Sequence, residues 1–162
     1  GWRLDGGGSA YDIGLQGLQL SLRMADGRVP ETDLRRALWS ALDCRSAAAI
    51  KALAAGPHLS VADLARLAPL VEASAATGEP QALAVLEHSA VCLAEAVEAV
   101  ALPLALTAPA ISGQGGAITH LATFRHLVER ALDQRLGGWR WQQGGGDACD
   151  GALRLAQALI GC

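Results

Sequence analysis

Large aromatic side chains are scarce in this chain: 162 residues hold one phenylalanine, one tyrosine and four tryptophans, 4% of the whole. A core built on stacked rings is therefore excluded. Hydrophobic residues still reach 51%, and much of that is alanine, which favours close helix packing. A surplus of basic charge is also missing. A formal net charge of −3 and a pI of about 5.8 leave no basic stripe for a phosphate backbone, which argues against a nucleic-acid partner. Closely spaced cysteines are absent as well. Cys44, Cys92, Cys149 and Cys162 form no C-x-x-C pair, so zinc and dithiol chemistry fail on spacing. Their even number permits two disulfides, but Cys92 falls in a helical pattern and no signal peptide is present; reduced thiols and a cytoplasmic location are expected. The longest uncharged stretch, Ala99 to Thr119, contains Pro103, Pro109, Gln114 and three glycines. These break a helix and would expose backbone polar groups to lipid, so no membrane span is expected there.

What is present is a dense run of glycine at the start, Asp5-Gly6-Gly7-Gly8-Ser9, entering an amphipathic helix. Tyr11, Leu15, Leu18, Leu22 and Ala25 recur at three- and four-residue spacing, with Gln16, Gln19, Arg23 and Asp26 opposite. Gly14 and Gly17 lie inside this helix, each costing up to about 1 kcal/mol against alanine, which predicts a close neighbour at both positions. A second helix follows around Leu34, Leu38 and Leu42, and a third, alanine-rich one over Arg45 to Ala54. Ser60 and Asp63 form a capping-box start for a fourth, which Pro69 should kink or divide. The longest helix follows Pro80, with Leu83, Leu86, Ala90, Leu93, Val97 and Val100 along one face.

Beyond it the pattern changes. Pro103 to Thr107 reads as a short buried strand and Trp139 to Gln143 as a second. Thr119 is placed to cap a helix carrying Phe124, Leu127 and Leu132, and Asp147 to cap a last helix through Leu153 and Ile160. The two strands run parallel if each intervening helix is a crossover. The expected fold class is α/β, predominantly helical, with a small, partly parallel sheet, in one domain over residues 1–162.

The glycine turn admits three readings. Freed backbone amides ahead of a helix suit a phosphate, but a phosphate hairpin needs a strand before it and another after it, and a helical period follows Ser9. Asp5 as a turn cap is the structural alternative. The third comes from the longer string. Gly1-Trp2, then Gly8-Ser9-Ala10-Tyr11-Asp12-Ile13-Gly14, Ala25-Asp26-Gly27-Arg28 with Pro30, Thr32, Leu34 and Ala37-Leu38, Leu67-Ala68-Pro69-Leu70-Val71, Phe124-Arg125-His126-Leu127 and Gly151-Ala152-Leu153-Arg154-Leu155-Ala156 together resemble the second lobe of the N-acetylglucosamine kinases. The same family holds the BadF/BadG/BcrA/BcrD-type ATPases, within the actin-like superfamily.

The resemblance implies the C-terminal lobe of an actin-like (ribonuclease H-like) fold, with ATP and magnesium as cofactors and an amino sugar or another small molecule as substrate. It implies substrate contacts from Gly1, Asp5 and Ser9, and nucleotide contacts from Thr107, Gly113, Gly115 and Gly116. The motif is about two residues shorter than the family's between Trp2 and Ser9, and Asp5 falls one position early. Ala108-Pro109-Ala110 stands where the family has a glycine turn against the nucleotide, and the first lobe, with its phosphate hairpin and catalytic aspartate, is missing. No catalytic residue and no metal ligand is assigned. The scattered histidines, His58, His88, His120 and His126, form no triad or metal set; His88 and Glu87 read as a solvated helix face, and Trp139 with Trp141 as packing. The expected partners are the missing N-terminal lobe or a second subunit, including a homodimer. With no initiator methionine at Gly1, a cut fragment, half of a split kinase and a degenerate lobe all remain open. A helical interaction module without a ligand is the alternative from a different class.

Overall fold

The computed structural model describes residues 6–144, 146 and 148–160. Asp147, expected to cap the last helix, and Gly1 and Asp5 lie outside them.

Helix α1 (Ala10–Ala25) is held at its start by Ser9, whose hydroxyl accepts from the Asp12 amide and donates to the Gly6 carbonyl at 2.6 Å. Around it pack α2 (Asp33–Ala41), α4 (Val61–Ala65), α5 (Ala68–Ala76) and the long α6 (Pro80–Ala101). The alanine-rich α3 (Ala47–Ala55) starts at a Ser46 cap and buries Ile50. Because α1 is enclosed by several helices, its buried set is wider than one stripe: Ile13, Gly14, Gly17, Leu18, Leu20, Ser21 and Met24 are all buried, while Tyr11, Leu15 and Leu22 are half-buried. Gly14 explains the closest approach. A Cβ placed there would overlap the carbonyl oxygen of Leu64, so α1 crosses α4 backbone to backbone. Gly17 gives room instead to the side chain of Val71.

Pro69 does divide the fourth helical pattern: α4 starts at a Ser60–Asp63 capping box and is over before Pro69, which sits in the first turn of α5. On α6 the buried side chains are small or medium: Ala82, Val85, Leu86, Ser89, Ala90, Ala94 and Ala101. This matches the alanine-rich composition, although the buried stripe is rotated from the expected one and leaves Val100 exposed. α6 in turn packs on α8 (Ala122–Arg135), where Phe124 and Leu132 are fully buried. Arg135 of α8 bonds Glu95 and Glu98 of α6 at 2.6 and 2.7 Å across that contact.

Two expectations fail here. Pro103 to Thr107 is not a strand. After α6 the backbone folds into a tight turn, with the Leu106 amide bonded to the Ala101 carbonyl and Ala105 at φ +50°. Pro103 has no N–H to give a ladder, and no neighbouring strand reaches the segment, so Leu102, Leu104 and Leu106 face solvent. The strand comes later, at β1 (Ala110–Ile111), paired in parallel with β2 (Arg140–Trp141) in the register Ala110–Arg140 and Ile111–Trp141. Thr119 does not cap α8 either, since it lies inside the short α7 (Gly116–His120). A residue distant in sequence takes its place: the Glu72 carboxylate of α5 accepts the amides of Thr123 and Phe124 at 2.6 and 3.1 Å. The order helix, strand, helix, strand, helix holds otherwise, ending in α9 (Ala148–Ile160). Among the described residues no helix is long and apolar enough to cross a membrane.

Candidate functional site

The glycine turn at residues 6–9 is clamped onto the middle of α6. Gly8 has φ +79°, and a Cβ there would sit 2.8 Å from the Leu93 Cβ and 3.0 Å from the Ser89 carbonyl oxygen. Only glycine permits both the dihedral and the approach. Behind the turn is a half-buried polar cluster. One oxygen of Asp12, Oδ2, accepts from the Gly8 amide at 3.1 Å, from Gln16 Nε2 at 2.9 Å and from the Ser89 hydroxyl at 2.8 Å. Gln16 also donates to Ser89 Oγ at 3.0 Å. Ser89 is fully buried, and these bonds satisfy it.

This arrangement changes what the turn can bind. The Gly8 amide is committed to Asp12 and the Ser9 amide to the Gly6 carbonyl. Neither is free for an anion, and a carboxylate stands directly behind them. The Ser9 hydroxyl has also spent its proton on Gly6, so what it offers a ligand is an acceptor lone pair. The turn suits a neutral, hydroxyl-bearing ligand better than a phosphate.

Facing the turn is the loop that leads into α7. Gly7, Gly8, Ser9, Ala10 and Leu93 on one side, with residues 114–118 on the other, enclose a cleft of about 260 Å³. Among the described residues no charged side chain lines it. Gln114 stands at its rim, its amide nitrogen 3.3 Å from the Ser112 hydroxyl and 3.5 Å from the Gly146 carbonyl. Gly115 has φ +99°, and a Cβ on it would meet nothing within 4 Å, so its backbone is open to close approach by a ligand.

The structure thus brings Ser9 together with Gly115 and Gly116. Gly113 lies apart from them, because a Cβ there would press on Ile118 and Trp141 at 3.1 to 3.3 Å; it serves packing around a smaller cavity of about 130 Å³ beneath the cleft. Thr107 is exposed beyond the α6 turn and does not line the cleft. His88 and Glu87 lie on an exposed face of α6 as expected. Trp139 and Trp141 pack edge to face at 5.1 Å and donate to Asp133 and Glu129 respectively. Asp12, Gln16 and Ser89 were not singled out from the sequence as site residues. The Ser9-x-x-Asp12 spacing, that of a capping box, is a signal that pointed to the first of them; nothing local pointed to Ser89, 77 residues further on. Among the described residues no group of three His, Cys, Asp or Glu could hold a metal ion.

No protein-family model matches this chain, and no curated protein matches it. Among solved structures it is similar to a "putative N-acetylglucosamine kinase" from Chromobacterium violaceum, with 27% identity and a TM-score of 0.66. The likeness covers 92% of this chain and 47% of that one, so the chain spans about half the length of the kinase it resembles.

Proposed function

We propose that this chain is the C-terminal lobe of an N-acetylglucosamine-kinase-like ATPase of the actin-like superfamily, carrying one wall of the active-site cleft and inactive in phosphoryl transfer by itself. The observation that carries the reading is the likeness over 92% of this chain to about half of such a kinase. The cleft agrees with it. At about 260 Å³ it falls below the roughly 300–1,000 Å³ of a complete small-molecule site, as one wall of a larger site should.

In this reading the turn at Gly7 to Ser9 takes the sugar side. Asp12 positions the turn without touching the ligand, and the Ser9 hydroxyl accepts one bond from a sugar hydroxyl. Gly115 and Gly116 fit the nucleotide side, because a Cβ on Gly115 would find open space and one on Gly116 would meet only the His120 ring, at 3.9 Å. ATP bound there supplies the phosphoryl group that the parent reaction transfers. Magnesium finds no set of ligands among the described residues, and phosphoryl transfer depends on the metal and on groups that cradle the phosphates. Those groups belong to the other lobe.

A second reading is favoured by Thr107 and Ala108-Pro109-Ala110, which stay outside the cleft. It keeps sugar binding and drops the nucleotide. Calorimetric titration of the chain with N-acetylglucosamine and with Mg-ATP separates the two. Heat from both supports the kinase lobe, heat from the sugar alone supports the second reading, and heat from neither removes ligand binding from the account.

A further inference from the structure

Gln16, Gln19, Leu20 and Arg23 stand three and four residues apart on α1 and so share one face of it. Opposite them, Gln81, Ala84 and Val85 share a face of the first turns of α6, and the two faces border a groove of about 370 Å³. That volume is within the roughly 300–1,000 Å³ of small-molecule sites. The groove has no lining residue in common with the cleft between the glycine turn and α7. Leu20 and Val85 give it a buried apolar floor, and above that floor its polar groups lack partners. Gln81 Oε1 is buried and accepts no hydrogen bond, the only side-chain oxygen in that state among the described residues. A buried acceptor left unpaired is unfavourable and calls for a donor. Gln16 holds its amide nitrogen on Asp12 and Ser89, which leaves its oxygen for a donor as well. Arg23 is the one charged side chain lining the groove among the described residues, and it makes no ion pair with any of them. Glu79, two residues before Gln81, is committed to the amides of Gln81 and Ala82 as the cap of α6 and does not line the groove.

We infer that this groove is a second small-molecule site, for a sugar that carries one acid group, with Arg23 holding the carboxylate or phosphate. Each part of that ligand answers a feature of the groove. A single cation with no carboxylate beside it selects one anionic group, and a guanidinium takes a carboxylate or a phosphate through two parallel bonds. The oxygens of Gln16 and Gln81 need hydrogen-bond donors, which the hydroxyls of a sugar supply. A simple anion held on Arg23 would leave both of them unmet. The apolar floor suits the C–H face of a sugar ring, in the usual pattern of an apolar pocket with a few placed polar groups. The inference does not depend on the kinase reading.

Titration of the isotopically labelled chain with glucuronate and with glucose 6-phosphate tests it, read from the backbone amides of Gln19, Arg23 and Gln81 and from the side-chain amides of the three glutamines. At millimolar concentration at least one of the two acids shifts these resonances, and which one does so says whether the acid group is a carboxylate or a phosphate. Glucose and inorganic phosphate, each lacking one half of the ligand, bind at least about tenfold more weakly. Arg23→Gln weakens binding of the acid about tenfold with unchanged circular dichroism, since the side chain is exposed. Gln81→Met keeps the length of the side chain and removes the unpaired oxygen. It weakens binding several-fold and raises the melting temperature of the free chain, a pair of opposite effects that a purely structural glutamine does not give. Resonances unmoved by either acid overturn the inference, as do shifts confined to residues 7–9 and 114–118. So does glucose or inorganic phosphate binding as tightly as the acids, or an Arg23→Gln chain that binds them as well as the wild type.

Discussion

Asp12 is the residue on which the glycine turn depends. Three donors converge on one of its oxygens, and none has another acceptor in the positions described except Gln16, which shares Ser89. Asp12→Ala should therefore cost about 1.5–3 kcal/mol, the range for hydrogen bonds to a charged group, measured by urea denaturation. It should also speed hydrogen exchange at the Gly8 amide while leaving the exchange of α8 unchanged. Gly14 makes a separate claim. Because a methyl group there overlaps the Leu64 carbonyl, Gly14→Ala should destabilise by about 1–3 kcal/mol as α1 and α4 are forced apart. In an ordinary exposed helix the same change stabilises by up to about 1 kcal/mol, so the sign of the effect decides the matter.

Helix ends show how far local sequence reaches. The Ser60–Asp63 box was legible because both partners lie within one turn. Its Asp63 carboxyl is held below the ordinary value of 3.8, chiefly by the Ser60 hydroxyl, then by the Ser60 amide and by Arg66. A carboxyl depressed in the folded state adds stability that is present above its unfolded value and is lost as the pH falls through the folded one. Asp63→Asn should accordingly lower the melting temperature at neutral pH, with the difference shrinking as the pH drops below 3.8. The start of α8 was misread for the opposite reason. Thr119 had the chemistry of a cap, but the cap is Glu72, 51 residues before the Thr123 amide it accepts, and only the packing of α5 against α8 brings them together. Glu72→Ala should cost about 1–2 kcal/mol, as for loss of a good helix cap, with exchange rising first at Thr123 and Phe124. The strand expected at Pro103 to Thr107 failed similarly. A short apolar run does not state whether a partner strand will reach it, and β2 pairs instead with Ala110 and Ile111, beyond the end of that run.

For the whole molecule, the parallel strands, the helical order and the close packing of small residues were readable from composition and periodicity. The convergence of the turn at Ser9 with the loop at Gly115 was not, since more than 100 residues separate them and only the placement of α6 sets them face to face. The uncharged lining of that cleft among the described residues, with the Gly8 amide spent on Asp12 and the Ser9 amide on the Gly6 carbonyl, is what favours the proposed sugar-side wall over a phosphate cradle. The most direct test is to titrate the isotopically labelled chain with N-acetylglucosamine and follow its backbone amide resonances. The account predicts shifts concentrated at Gly7, Gly8 and Ser9 and at residues 114–118, with no sugar phosphate formed when Mg-ATP is added. A spectrum unmoved at saturating sugar, or one that moves only away from these two segments, would contradict it.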